Sequence, residues 1–256
     1  MTWRESTRRK LAQRALERQL AYQQHKAQHL RGHEEEVIAA MTKSSRRVRD
    51  LLEQFQSIPK DARVIEVGSG AHGLIFCFES DRRVGVDPLA VDYRGLFPGW
   101  QRRAQTVAAV GESLPFRDHS FDVVICDNVV DHAESPPQIV RELVRILAPG
   151  GLLYFTVNIH HSLYSVAAGM HSSWRAIGLP YEIGPFADHT THLTLTSATE
   201  LFRGLPVEIL SEKSNIDEAC ARARNQPARH LGDRLKRVFF KNALYEVVAR
   251  RPQNSN

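Results

Sequence analysis

The stretch from Val64 to Gly73 constrains the fold of this chain more than any other, because an apolar run leads directly into a cluster of glycines. It reads Val-Ile-Glu-Val-Gly-Ser-Gly-Ala-His-Gly. Glycines let the backbone approach a ligand closely, and exposed amides at the start of a following helix favour electronegative atoms. The pattern therefore predicts a buried strand that ends in a ligand-binding turn.

Short apolar runs alternate with helical stretches after Pro59, as in sheets whose parallel strands are buried on both faces. One amphipathic helical stripe, formed by Ile139, Val140, Leu143, Ile146 and Leu147, lies between the fourth and fifth runs. The predicted strands are Arg63 to Val67, Arg83 to Val86, Gln105 to Val110, Phe121 to Cys126 and Leu152 to Val157. We predict a doubly wound α/β fold with its ligand beyond the carboxyl ends of the strands.

Two helices are predicted before the sheet. Thr2 and Glu5 have the spacing of a capping box, and an amphipathic helix with Leu11, Leu16 and Leu20 should follow and end at Gly32. The second helix has its own apolar stripe, formed by Val37, Met41, Val48, Leu52 and Phe55. We take residues 1–57 as a helical arm and residues 58–256 as the main domain. The arm packs on that domain, within itself or in a homo-oligomer.

The net charge of +5 is concentrated in this arm, since residues 1–31 contain eight basic and two acidic side chains. Such an arm can attract phosphates, acidic lipid or an anionic substrate. The other interpretation is a solvated helix face.

The C-terminal hundred residues are less regular. Two further strands are predicted at Pro206 to Leu210 and at Ala243 to Ala249, with a helix between Ser197, its expected cap, and Gly204. Residues 159–192 and 214–242 are predicted to be cap or insert segments near the substrate.

Several protein classes are excluded by the sequence. No apolar run approaches the roughly 18 to 20 residues that cross a bilayer, and no apolar signal follows the basic N-terminus. The three cysteines are too widely spaced for a disulfide framework or a clustered metal site; they are Cys77, Cys126 and Cys220. We expect a cytoplasmic protein without a metal.

The glycine pattern alone suits a nicotinamide dinucleotide, with Asp87 placed to bind a ribose. Glu66 favours S-adenosylmethionine instead. A carboxylate at the end of a buried strand is costly without a partner, and the methionyl ammonium of that cofactor would supply one.

Three downstream segments support the same cofactor. They are Gly111 to Phe116, Asp118 to Val124 and Arg141 to Gly151. Together with the glycine turn they resemble class I S-adenosylmethionine-dependent methyltransferases, in particular the subgroup that contains quinone-biosynthesis and many small-molecule enzymes. The resemblance covers about Pro59 to Asn158. It implies a mostly parallel seven-stranded sheet with one antiparallel strand, which Ala243 to Ala249 would provide.

The resemblance also implies which residues bind the cofactor. The methionyl part would lie against Glu66, Gly68, Ser69 and Gly70. The ribose hydroxyls would donate to Asp87, and Pro88 would lie beside the adenosine. The adenine would lie at Gly111, Glu112 and Ser113. The reacting end of the cofactor would face Asn128. The chain departs from the common pattern at His72, where many members have glycine, and at Val110, where many have aspartate.

Methyl transfer from a sulfonium needs mainly alignment and exclusion of water, although a hydroxyl acceptor gains from a base. His132 and His161 are the candidates for a base or a substrate contact, with His160 as a neighbour on the same side of the sheet. Asp188, His189 and His192 have the residue types of a metal site, but loop hydrogen bonds or substrate contact suit their spacing better.

The sequence therefore predicts methyl transfer from S-adenosylmethionine to a small molecule such as a sugar, natural product or quinone, with S-adenosylhomocysteine as product. Three alternatives stay open. They are an RNA methyltransferase that uses the basic arm, a nicotinamide oxidoreductase and a non-catalytic partner subunit.

Overall fold

The computed structural model describes residues 3–29, 34–162, 192–225 and 243–253. The α-helices are α1 (Trp3–His29), α2 (Glu34–Glu53), α3 (Ala90–Leu96), α4 (Pro98–Gln101), α5 (Pro136–Ile146), α6 (Leu195–Glu200) and α7 (Ile216–Asn225). The strands are β1 (Arg63–Val67), β2 (Arg82–Val86), β3 (Gln105–Val107), β4 (Phe121–Asp127), β5 (Leu147–Ile159), β6 (Glu208–Ser214) and β7 (Ala243–Arg250). Two short 3-10 helices cover Leu74–Phe76 and Val130–His132.

The strands form one sheet in the order β3-β2-β1-β4-β5-β7-β6. β7 is antiparallel to both of its neighbours, and all other pairs are parallel. The predicted doubly wound α/β fold with a single antiparallel strand is confirmed. The strand order reverses between β1 and β4, which is where such sheets bind their ligands.

Helices cover both faces of the sheet. Ile139 and Leu143 on α5 pack against one face, so the predicted apolar stripe of this helix is confirmed. On the other face, Val48 and Leu52 of α2 are buried with Val64 and Tyr154. The apolar stripe of the second helix is thus buried against the domain of its own chain.

Two C-terminal predictions are wrong in detail. The N-cap of α6 is Thr194, whose hydroxyl accepts from the Ser197 amide at 3.2 Å, while the Ser197 hydroxyl accepts from the Thr194 amide at 2.7 Å. Ser197 is therefore the third helical residue of a reciprocal capping box and not the cap. The penultimate strand begins at Glu208 instead of Pro206, because proline has no amide to donate to a ladder.

The first helix extends from Trp3 to His29. Between Leu16 and His29 its one buried side chain is that of Gln23, and Leu16 and Leu20 are half-buried. These three residues are spaced by four and three positions, so Leu16 and Leu20 of the predicted stripe lie on the same helix face as the buried Gln23. The described residues do not include Thr2, Gly32 or most of segments 159–192 and 214–242. Within segment 214–242 the structure describes the helix α7. No helix in the described part of the chain is long and apolar enough to cross a membrane.

Candidate active site

The glycine turn after β1 is held against the end of β2. The amides of Gly68 and Ser69 both donate to the Val86 carbonyl, at 2.7 and 2.9 Å. Gly68 has φ +77°, and a Cβ there would lie 2.2 Å from Cγ2 of Val129. Glycine is required at this position both by the backbone conformation and by the close approach of the loop after β4.

Asp87 follows β2 and joins the second strand to the glycine turn. Its Oδ2 accepts from the Gly70 amide at 3.0 Å, and its Oδ1 accepts from the Leu89 amide at 2.8 Å. Burial raises the pKa of this carboxyl above its ordinary value, against the effect of the two amides. The side chain is half-buried beside Pro88, and Gly70 has open space where a Cβ would be.

Glu66 is 2% exposed, and its carboxylate lies beneath the same turn. Oε2 accepts from the Ile75 amide at 2.8 Å, and a Cβ on Gly73 would be 2.4 Å from that oxygen. Burial raises the pKa of Glu66 to about 8, with a smaller contribution from the negative charge of Asp127. In this structure Glu66 therefore supports the glycine turn from below and has no cationic partner among the described side chains.

The predicted adenine edge lies after β3. Val110 is 46% exposed, Ser113 is exposed and Gly111 is packed closely on Ile139, 3.0 Å from where its Cβ would be. Oε1 of Glu112 accepts from two amides at the start of α5, those of Glu134 and Ser135, at 2.9 and 3.2 Å.

This capping contact is favourable because a helix N-terminus attracts negative charge. The Glu112 carboxylate thus already has partners in the fold, and backbone groups are the better candidates to recognise an adenine amino group there.

The end of β4 brings together polar residues of two strands. Asn128 has φ +57°, and its Oδ1 accepts from the amide of Asn158 at 3.2 Å. The Asn128 amide donates to the carbonyl and to the hydroxyl of Thr156, at 3.1 and 3.0 Å. The left-handed backbone conformation of Asn128 and these three hydrogen bonds fix the position of the chain just after β4.

Asp127 is a site residue that the sequence analysis missed. Its Oδ1 accepts from the buried Thr156 hydroxyl, and burial raises the pKa of the Asp127 carboxyl above its ordinary value. The missed signal was an acid at the end of an apolar strand, the same feature that identified Glu66.

The candidate histidines lie on the same side of the sheet but in different settings. His132 is exposed, with Nε2 3.8 Å from Oδ1 of Asp131, whose side chain is fully buried. His161 is half-buried after β5, while His160 is buried with its ring 5.2 Å from that of His192.

Asp188 and His189 lie outside the described residues. Within the described ranges no three His, Cys, Asp or Glu side chains are grouped closely enough to hold a metal ion.

The second half of α1 lies beside the glycine turn. His72 packs on the rings of Phe97 and Trp100, with centroids 4.5 and 5.0 Å away. Burial lowers the pKa of His72 to about 4, helped by the positive charge of Lys26 on α1. Gln19 of the same helix is hydrogen-bonded to Tyr93, so α1 contacts the elements on both sides of Asp87.

Comparison with known proteins identifies the family. Residues 65–155 match the family described as "Methyltransferase domain". This segment is a class I S-adenosylmethionine-dependent methyltransferase domain. The predicted family and cofactor class are confirmed for it, which decides against the nicotinamide alternative.

Two relatives and one solved structure show how far the likeness extends. An uncharacterized methyltransferase of Mycobacterium sp. (strain KMS) is 30% identical over 143 residues, which are 54% of this chain and 47% of the relative. A malonyl-[acyl-carrier protein] O-methyltransferase of Halorhodospira halophila is 27% identical over 160 residues, which are 60% and 52% of the two chains. The chain thus spans about half the length of these curated relatives.

The solved structure is geranyl diphosphate C-methyltransferase of Streptomyces coelicolor, in complex with Mg²⁺, geranyl diphosphate and S-adenosyl-L-homocysteine. Its TM-score is 0.56 at 12% identity, covering 81% of this chain and 79% of that one. At this identity the likeness establishes the fold.

Proposed function

We propose that the chain transfers the methyl group of S-adenosylmethionine to a small-molecule acceptor. The observation that carries this proposal is the junction of Asp87 with the glycine turn, where the Gly70 amide donates to Asp87 at 3.0 Å. This bond brings an acid from the end of β2 to the mouth of β1, the place where a doubly wound sheet binds a nucleoside.

Asp87 fits the ribose of such a cofactor. Each of its carboxylate oxygens accepts one amide, and an ionised carboxylate offers about four acceptor positions. Two positions are left for a pair of neighbouring hydroxyls. The exposed side chain of Val110, three residues after β3, would provide an apolar contact for the adenine.

Glu66 fits a cationic ligand for a different reason. With a pKa of about 8, its buried carboxyl holds a proton at neutral pH in the absence of a ligand. A neighbouring positive charge favours the ionised form, so the methionyl ammonium would be bound with release of that proton. We expect the contact to be direct or through a water molecule.

When bound, the cofactor supplies a sulfonium methyl group for an in-line displacement. The residues at the end of β4 would position the acceptor, because Asp127 and Asn128 are fixed there by Thr156. We assign His132, which has Asp131 beside it, as the base for an acceptor that must lose a proton, and His161 as a substrate contact.

A small acceptor is supported by two similar proteins. One is named for action on malonyl-[acyl-carrier protein], and the other binds geranyl diphosphate. The RNA and partner-subunit alternatives, the homo-oligomer and the role of the basic arm stay predictions.

The test is calorimetric titration of the purified chain with S-adenosylhomocysteine, beside the Asp87→Ala and Asp87→Asn variants. Two hydrogen bonds to a charged acceptor contribute about 1.5 to 3 kcal/mol each, so Asp87→Ala should weaken binding at least 100-fold. Asp61→Ala, an exposed aspartate in the turn before β1, is the matched control.

Circular dichroism checks that each variant is folded. Unchanged affinity in a folded Asp87 variant would contradict the assigned site. Incubation of metabolite pools with isotope-labelled S-adenosylmethionine then tests turnover, and the absence of any labelled product would contradict the proposed activity.

A further inference from the structure

A charged groove lies beside α2, away from the glycine turn. It has a volume of about 730 Å³ and runs between α2 and the edge formed by β6 and β7. Four cations and two acids line it, together with Ala39, Thr42, Leu51 and Gln54; the charged residues are Lys43, Arg46, Arg47, Asp50, Lys213 and Glu246.

One end of the groove is level with the carboxyl ends of the parallel strands. Lys213 is near the carboxyl end of β6 and pairs in register with Glu246 of β7. The C-terminal end of α2 is at the opposite edge of the sheet. Arg250, the last residue of β7, lies at that edge because β7 is antiparallel to β5, and it donates to the carbonyl of Phe55, two residues after α2. Lys43, one turn before Arg47, is therefore on the side of the sheet where the proposed methyl transfer takes place.

The acid in this end of the groove is already neutralised. Both terminal nitrogens of Arg47 donate to Oε2 of Glu246 at 3.0 Å, and the Tyr154 hydroxyl donates to the same oxygen at 2.9 Å. A lysine opposite a glutamate in an antiparallel pair would ordinarily form an ion pair with it. Here Glu246 is bound by α2, and no ion pair with Lys213 forms within 4.0 Å among the described residues.

The remaining charges leave two cations in excess. Arg46 is 3.5 Å from Glu79, outside the groove, and Asp50 is one turn further from the carboxyl ends. Lys43 and Lys213 have no acidic partner in the part of the chain that the structure describes. Two lysines on opposite walls of one groove form a local positive potential that attracts an anion.

A row of polar side chains connects this end of the groove with β4. Glu246 is in register with Thr156, and Thr156 with Asp127, to which its hydroxyl donates. Neighbouring strands are about 4.8 Å apart, so Asp127 and Glu246 are separated by roughly 10 Å. Thr156 is fully buried, so a metabolite that spans this distance would lie over the carboxyl edge of β5.

We propose that the groove binds the carboxylate or phosphate group of the methyl acceptor between Lys43 and Lys213, with the rest of the acceptor directed toward the end of β4. This inference rests on the proposed function and gives its acceptor a chemical class. The substrate is an anion whose charged group binds at least about 10 Å from the end of β4, by the strand spacing above.

The first experiment needs no knowledge of the acceptor. The full chain is titrated calorimetrically with inorganic phosphate, and separately with acetate, in low-salt buffer containing saturating S-adenosylhomocysteine. We expect saturable binding of at least one anion, and at least a tenfold loss of affinity in the double variant Lys43→Gln/Lys213→Gln. Lys60→Gln, an exposed lysine before β1, is the matched control and should bind as the wild type does.

These substitutions remove the charge, shorten the side chain by one atom and lie at solvent-facing positions, so the variants should fold, which circular dichroism verifies. Lack of saturable binding of either anion to the wild type would overturn the proposal, and so would unchanged affinity in the double variant.

The second experiment separates this proposal from the proposed function. Labelled products from the metabolite screen are passed over an anion-exchange resin, and we expect them to be retained. A neutral or cationic product would overturn the anionic acceptor and leave methyl transfer intact. Failure of S-adenosylhomocysteine to bind the wild type would instead contradict the cofactor site. The phosphate and acetate titrations, repeated without the nucleoside, would still show whether the groove binds an anion.

Discussion

Two glutamates on the same face of the sheet have opposite surroundings. Glu66 on β1 is buried with backbone amides alone as partners, and its pKa rises to about 8. Glu246 on β7 is bound by the Arg47 guanidinium and the Tyr154 hydroxyl. The fold thus compensates the second charge itself and gives the first no cationic partner among the described residues.

This difference separates two uses of a buried acid. Where the charge is left uncompensated, a cationic ligand such as the proposed methionyl ammonium would favour the ionised carboxylate and displace its proton. Where the acid is neutralised by one arginine, the neighbouring lysines keep their charge for an anion. The cofactor half and the proposed acceptor half of the sheet therefore have opposite electrostatic preferences.

The largest expected effect is on the pH dependence of stability. An acid whose folded pKa exceeds its unfolded pKa stabilises the fold while protonated, and that contribution is lost as pH rises toward the folded value. Between pH 5 and pH 8 the wild type should lose about 1.4 kcal/mol per pH unit relative to Glu66→Gln, up to about 4 kcal/mol. Urea unfolding of both proteins across this range measures the difference.

Parallel stability curves for the two proteins would show that Glu66 is ionised in the free protein, and the contrast with Glu246 would then disappear. A sharper version repeats the series with saturating S-adenosylhomocysteine. Its ammonium should favour the ionised carboxylate, so the pH-dependent difference between wild type and variant should become smaller.

The first of the two glutamates could be predicted from the sequence, because its surroundings are local. Glu66, the glycine turn and Asp87 lie within 22 residues, and one strand-turn-strand unit brings them together. The mostly parallel sheet followed from the same alternation of apolar runs, and its one antiparallel strand from the family resemblance. The start of β6 and the cap of α6 were predicted less well, because the strand begins two residues after Pro206 and the cap is Thr194, three residues before Ser197.

The second glutamate could not be predicted in this way. Its contacts depend on register, since Thr156 is opposite Glu246 across 90 residues of chain, and on the docking of α2, which brings Arg47 to the same carboxylate. Neither relation has a local signature. The proposed cofactor site is built by the glycine turn and its neighbouring residues, whereas the proposed acceptor groove is assembled from strands and a helix that are distant in the sequence.

A smaller effect is expected when the compensation of Glu246 is removed. Arg47→Met keeps the apolar stem but leaves the carboxylate, 14% exposed, without its cation. Breaking a fully buried pair costs about 3 to 5 kcal/mol and an exposed one at most about 1. Because the Arg47 side chain is 55% exposed, we expect a loss of about 2 kcal/mol in the free energy of unfolding.

The double variant Arg47→Met/Glu246→Gln provides the control for that measurement. It removes the charge that was left unpaired, so most of the lost stability should return. A double variant as unstable as Arg47→Met alone would mean that the arginine stabilises α2 by packing and not by charge.

The smallest effect is expected from Tyr154→Phe, which removes only the hydroxyl between Arg47 and Glu246. This hydroxyl donates to the carboxylate at 2.9 Å and accepts from the guanidinium at 2.7 Å, so its loss should cost about 1 kcal/mol. Tyr245→Phe is the matched control, because the Tyr245 hydroxyl donates to the exposed Glu212 at 2.8 Å, where water can replace it. Urea unfolding should show less than half the loss in the control. Equal losses would indicate that Glu246 is as well hydrated as Glu212, and the acid beside the groove would then need no compensation from the fold.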